Sequence, residues 1–225
     1  MHQRISKKIL IYFFFLVSLG TLNNIDINKF NFPKINVIQI SGLEDENNLI
    51  LLKSIKNLNL GNIFFLNDIE IRKIINTNSL IEGYNIFKRY PSSLDIEIDK
   101  TKFLARINNN GESFLIGSNG KLIKDDHNIA VLPFVKGKPN INEFLNFKKV
   151  IDDSKFEYKD IENIYFFSSK RWDIEINNGI IIKFPRKNSE QVIELVFEIF
   201  NQNLENIKTI DARVKNKIIL NDLRD

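Results

Sequence analysis

Ile9–Leu22 reads ILIYFFFLVSLGTL, fourteen residues without a charge and with three consecutive phenylalanines, preceded by Arg4, Lys7 and Lys8. Uncharged sequence runs on to Ile25, which makes seventeen residues from Ile9. At a helical rise of about 1.5 Å per residue this is roughly 25 Å, at the short end of what crosses a bilayer. Snorkelling lysine stems at Lys7 and Lys8 extend the reach. The basic flank predicts residues 1–8 as a cytoplasmic tail, 9–25 as a transmembrane anchor and everything beyond outside, a single-pass type II topology. A cleaved signal peptide ranks second, because Ser18 and Gly20 are small residues at cleavage-like spacing. A buried core helix ranks third, since the basic flank argues against it.

Composition removes most chemistry. There is no cysteine, and His2 and His127 are the only histidines, which excludes disulfides, Cys-ligated metals and mechanisms needing two imidazoles. The formal charge of +4 does not make a nucleic-acid surface: beyond residue 22, 29 basic side chains face 28 acidic ones, and no basic stripe stands out. Asn and Ile supply 69 of the 225 residues, so asparagine clusters carry little functional signal. His127 beside Asp125 and Asp126 reads as a solvated turn, because no nucleophile accompanies it. Asp152 and Asp153 are adjacent at a helix end and point apart, unlike a glycosidase pair. Gly117-Ser118-Asn119-Gly120 lacks the lysine of a phosphate loop. No catalytic residue, metal site or cofactor is expected.

Residues 26–34 read as a tether, polar and aperiodic up to Pro33. A strand ending at Gly42 follows, then a helix over Glu44–Leu58 with Leu49, Leu52 and Ile55 inward. A second helix is capped by Asn67 and Glu70 and buries Ile71, Ile74 and Ile75. Two strands come next, Ile81–Lys88 and Leu94–Ile98, with Leu94, Ile96 and Ile98 on one face. The second half predicts short strands at Leu104–Ile107, Ser113–Ile116 and Lys121–Ile123 around Asn-Gly turns. A helix capped by Asn140 and Glu143 carries Phe144, Leu145, Lys148 and Ile151. Trp172, Ile174 and Ile176 alternate, Asn177-Asn178-Gly179 turns, and Ile180, Ile182 and Phe184 alternate back. Asn188 and Gln191 cap a helix facing inward through Val192, Leu195, Val196, Ile199 and Phe200. One last strand, Thr209–Leu220, completes an α+β chain.

This layout resembles the FtsQ/DivIB family of bacterial cell-division proteins. The βααββ unit is similar to a POTRA domain, with Val37–Gly42 as its opening strand and Gly61-Asn62-Ile63-Phe64 as its inter-helix segment. Arg89-Tyr90-Pro91-Ser92-Ser93-Leu94-Asp95-Ile96 resembles the family's Arg-aromatic-Pro-x-x-Leu-x-Ile run. Lys102-Phe103-Leu104-Ala105-Arg106 resembles its Pro-x-Ala crossing, with Phe103 in place of proline. Ser118-Asn119-Gly120-Lys121-Leu122, Leu132-Pro133, Ser169-Lys170-Arg171-Trp172 with Asn178-Gly179, and Ile210-Asp211-Ala212-Arg213 resemble its later motifs. Val214 and Lys217 depart from its usual tyrosine and glycine.

The resemblance implies a POTRA domain at 35–103, an FtsQ-type mixed β domain with two or so helices at 104–220 and a short tail at 221–225. It implies a non-enzymatic division scaffold at the septum. The partners implied are FtsB-like and FtsL-like membrane proteins, and other division proteins through the POTRA domain. The expected binding residues are Lys170, Arg171, Arg213, Val214, Lys215, Asn216, Lys217 and Ile218, the last six on a strand whose open edge adds a partner strand. On the residues alone, a charged edge that resists aggregation is the simpler reading. Another exported POTRA-containing transport or assembly accessory protein is the alternative, and a membrane-tethered wall enzyme lacks its catalytic set.

Overall fold

The computed structural model describes residues 6–22, 32–125, 132–187, 189–202 and 207–222. Helix α1 covers Lys7–Leu22, sixteen residues whose large apolar side chains are almost all exposed. Among the described residues no helix is long and apolar enough to cross a membrane. The expected span ran to Ile25, which lies outside the described residues, as do His127 and Asn188.

The first unit has the expected βααββ order: β1 (Val37–Ser41), α2 (Asp45–Lys56), α3 (Ile69–Thr77), β2 (Ile81–Arg89) and β3 (Ser93–Lys100). The strands lie in the order β1-β3-β2, with β1 parallel and β2 antiparallel to the central β3. Leu94, Ile96 and Ile98 alternate inward from β3 and meet Leu51, Ile55, Ile71 and Ile75 of the two helices. Two details differ from expectation. The inward face of α2 is Leu51 and Ile55, while Leu49 is exposed. Asp68, not Asn67, caps α3 and forms no side-chain cap bond; Asn67 instead accepts from the Ile69 N–H, and Asp68 pairs with Arg72 one turn on at 2.7 Å. Gly42 ends β1 at φ 108°, where a Cβ would collide with the Ile98 carbonyl oxygen.

The second unit is one nine-stranded sheet: β4 (Phe103–Asn109), β5 (Glu112–Gly117), β6 (Leu122–Lys124), β7 (Phe134–Lys136), β8 (Ile161–Phe166), β9 (Trp172–Ile176), β10 (Ile181–Lys183), β11 (Ile207–Asp211) and β12 (Ile219–Asp222). Their spatial order is β12-β11-β10-β9-β8-β7-β4-β5-β6. Two parallel crossovers carry the helices: α4 (Ile141–Asp152) between β7 and β8, and α5 (Ser189–Phe200) between β10 and β11. The capping box at Asn140 and Glu143 forms as read. The apolar core joins Phe144, Phe147 and Ile151 of α4 to Ile193 and Val196 of α5 over Ile164, Ile174, Ile182 and Ile210. Periodicity had missed Phe147, whose ring stacks on Trp172 at 4.8 Å and meets Phe184 edge-on at 5.9 Å. It had placed Leu195 inside, and Leu195 is exposed. Lys148 is half-buried, with its ammonium 3.9 Å from the Tyr158 ring and paired with Asp152. Tyr158 donates to the Leu104 carbonyl at 2.8 Å, and burial pushes its hydroxyl up.

Strand β3 runs into β4 through Thr101 and Lys102, and the Ser118-Asn119-Gly120 turn clamps this link. Asn119 donates to the carbonyls of Ser79 and Ile81, both at 2.9 Å, and Lys121 reaches the Asn76 and Asn78 carbonyls at 2.6 and 3.0 Å. Ser118 Oγ accepts from the Lys102 N–H at 2.9 Å and donates to Glu82. Thr101, 3% exposed, is closed in by the same turn.

Two outcomes follow. Asn119→Ala leaves two carbonyls short of a donor, and trypsin cleavage at Lys100 and Lys102 should quicken about tenfold, for about 1.4 kcal/mol of lost local stability, read by timed electrophoresis. Phe147→Ala should cost about 3–5 kcal/mol in urea unfolding followed by Trp172 fluorescence.

Candidate functional site

Helices α4 and α5 pack on one face of the large sheet, and the other face carries polar residues. Strand registers align Lys136, Tyr165, Asp173, Lys183, Asp211 and Ile219 in one row across six strands. Each aspartate in that row has an arginine two residues away on the same face. Arg171 holds Asp173 with contacts of 3.0 and 3.2 Å and lies 4.1 Å above the Phe167 ring. Arg213 holds Asp211 through both its Nε and Nη2. The two pairs respond differently. Burial pushes the Asp173 carboxyl up, outweighing the opposing pull of Arg171, whereas the Arg213 hydrogen bonds hold Asp211 below the usual carboxylate range.

The expected site residues come together at one end of this sheet, but not on the strand foreseen for them. Lys170 and Arg171 close the β8–β9 turn, with Lys170 at φ 63° and its ammonium 2.8 Å from Glu143 of α4. The single strand over Thr209–Leu220 does not form. Strand β11 stops at Asp211, the chain turns back, and β12 returns antiparallel with Ile210 opposite Leu220 and Asp211 opposite Ile219. Arg213, Val214, Lys215, Asn216, Lys217 and Ile218 all lie in the connection. The Arg213 N–H is held by its neighbour Asp211 at 3.1 Å, the Lys217 N–H closes a turn onto the Val214 carbonyl at 3.1 Å, and Asn216 supplies the left-handed residue at φ 60°. The edge of β11 is therefore covered by the chain's own residues, which corrects the expectation of an open strand through 213–218.

The sheet's outer edge passes to β12, which pairs on its β11 side alone among the described residues. Beside it, a groove of about 290 Å³ runs between α5 and the 212–218 connection, lined by Val192, Leu195, Val214 and Ile218 with Lys187, Arg213, Lys215 and Lys217 around them. Val214, Leu195, Ile219 and Leu220 are each 42–47% exposed. Leu195, Ile219 and Leu220 were missed as surface residues. The signal available for the end of β11 was the spacing shared by Arg171-Trp172-Asp173 and Asp211-Ala212-Arg213, an ion pair along a strand face on each side of β10.

A βααββ unit joined to a mixed sheet with helices on one face defines an α+β protein built around an exposed sheet edge. Residues 105–213 match the family described as cell division protein FtsQ/DivIB, C-terminal. Cell division protein FtsQ of Rickettsia bellii is 25% identical over 82% of this chain and 70% of its own, and that of Rickettsia felis is 28% identical over 84% and 72%. FtsQ of Rhizobium radiobacter is 23% identical over 72% of each chain. The solved major extracytoplasmic domain of DivIB from Geobacillus stearothermophilus aligns with 48% of this chain and 99% of its own at 10% identity and a TM-score of 0.33. The chain is thus similar to FtsQ/DivIB cell division proteins, in keeping with the resemblance of its motifs.

Asp211 gives a pH-dependent test. A carboxyl held low stabilises the fold above its unfolded pKa of about 4, and the contribution fades as pH falls through the folded value. Asp211→Asn should cost about 1–2 kcal/mol at pH 7, with the difference from the parent chain shrinking towards pH 3 in paired urea titrations.

Proposed function

We propose that the chain is a non-enzymatic scaffold linking early and late division proteins at the septum. Its residues 9–25 form the inner-membrane anchor, with the N-terminus cytoplasmic and the bulk periplasmic. Residues 35–103 form a POTRA domain and 104–220 an FtsQ-type β domain. FtsB-like and FtsL-like membrane proteins bind the second by strand addition, and the first recruits other division proteins. The observation that carries this reading is the outer edge of β12, unpaired on one side and set beside an apolar groove with a basic rim.

Strand addition draws affinity from main-chain hydrogen bonds and specificity from side chains entering neighbouring pockets. Here the groove offers Val214 and Leu195 to an apolar anchor, while Lys187, Lys215 and Lys217 favour an acidic segment. Lys170 and Arg171 lie at the same end of the sheet, each held by a carboxylate, Glu143 and Asp173. Anchoring scaffold and partner in one membrane raises their effective concentration, so a short strand contact suffices.

The test is co-purification of the full chain with its division partners from membranes. Val214→Asp and Leu195→Asp should each weaken capture at least tenfold while the urea midpoint holds. In the complex, the amides of Ile219–Asp222 should exchange at least tenfold more slowly than in the free chain. Capture retained by both folded variants, with no added protection of those amides, overturns the reading.

A further inference from the structure

The first unit carries an aromatic surface that its core does not use. Phe32 lies 4.8 Å from Phe64 and 5.9 Å from Phe65, and Phe64 lies 4.9 Å from Tyr90, ring centre to ring centre. All four are exposed, Phe65 by 77% and Tyr90 by 62%. They pack on one another, and the unit's buried cluster is built from other residues. A contiguous exposed aromatic patch costs solvation and marks a contact surface.

Its position says what the contact is. The patch is built at the point where the chain enters the unit. The Ile35 N–H donates to the Gly61 carbonyl at 3.0 Å, and Lys34 bridges Asn62 in antiparallel fashion, which fixes the entering segment against 61–65. Phe32, immediately upstream, is part of the patch itself. Nine residues, 23–31, separate it from Leu22 at the end of α1. Fully extended they reach roughly 30 Å, so the patch cannot lie far from wherever α1 is seated. Exposed lysines flank it: Lys34 on the entering segment, and Lys88, which donates to the Leu66 carbonyl at 3.2 Å. Of the carboxylates near it in sequence, Asp68 is paired with Arg72 and Asp95 with Arg89.

We propose that Phe32, Phe64, Phe65 and Tyr90 rest on the lipid surface that receives α1, with the rings at the headgroup level and Lys34 and Lys88 against anionic headgroups. This rests on the anchor reading above. Tyr90 suits the membrane–water boundary, where an apolar ring and a polar tip are both accommodated, the three phenylalanines add apolar area to bury there, and basic residues near an anionic leaflet add attraction. The first unit then lies on the bilayer in a set orientation instead of swinging on its tether.

The absence of native cysteine allows a direct test on the full chain in phosphatidylglycerol–phosphatidylethanolamine vesicles containing shallow nitroxide-labelled lipids. One protein carries an environment-sensitive fluorophore at Ile69→Cys, an exposed position four residues beyond Phe65, and another at Phe14→Cys within α1. Quenching at both positions is expected. Phe65→Ser with Tyr90→Ser should abolish quenching at 69 and leave that at 14 intact, with circular dichroism unchanged. Quenching at 14 but not at 69 overturns the inference and leaves the anchor standing, as does shielding of 69 only when a division partner is added. Quenching at 69 that survives the double substitution also overturns it. No quenching at 14 removes the anchor reading, and this inference with it.

Discussion

The second unit depends on the one-sided covering of its sheet. Strands β7, β8 and β10 run in the same direction, since β9 is antiparallel to both β8 and β10. The crossovers β7–α4–β8 and β10–α5–β11 both step toward β12. A right-handed crossover from strands of one direction, stepping the same way, puts both helices on the same face. That face becomes the core, where Phe147 stacks on Trp172 and Ile193 and Val196 close over β10 and β11. Among the described residues the other face carries no helix, and its charges must be balanced within the sheet. The Arg171–Asp173 and Asp211–Arg213 pairs do this on either side of Lys183, so the residues that read as a basic binding patch are partly committed to neutralising their own strands.

The same constraint explains where the chain goes after β11. With Arg213 tied back to Asp211 and Asn216 in the left-handed region, continuing straight would break local bonds already formed. The return as β12 satisfies the outer groups of β11 and moves the unpaired edge one strand outward. Strand β12 is four residues long, with Asn221 and Asp222 within it, and short polar edges resist indiscriminate pairing. Under the strand-addition reading, such an edge selects a partner whose side chains fit the groove next to it.

Much of this was legible in the sequence where two signals agreed. Alternation at Leu94, Ile96 and Ile98, an Asn-Gly turn between Ile176 and Ile180, and the capping box at Asn140 each combined periodicity with turn or cap chemistry, and each formed. Helical phase was less secure because isoleucine and leucine occupy more than one face of α2 and α5. Leu49 and Leu195 sit at spacings as good as those of Leu51 and Ile193, and only the strands beneath decide between them. The break in the last strand left little trace. Thr209–Leu220 contains no glycine or proline, and Asn216, which makes the turn, is one of many asparagines in this chain. Residues 170–171 and 213–218 stand out in the sequence because the family motifs reach that far. The edge itself was misplaced by one strand because its position depends on pairing that no single segment encodes.

The link between the units determines what the edge can reach. Strand β3 passes into β4 with only Thr101 and Lys102 between them, and Ser118, Asn119 and Lys121 tie that link to the first unit. Six strand steps then separate β4 from β12. At about 4.8 Å per step the open edge stands roughly 30 Å to the side of the junction. A partner added at β12 therefore need not contact the first unit, and a protein held by the first unit need not compete for β12. Because the junction is clamped, the orientation of the first unit also sets the direction in which β12 presents its free backbone groups. A strand-adding partner must meet that edge nearly parallel or antiparallel to it, so fixing the first unit relative to α1 limits the angles from which such a partner can approach.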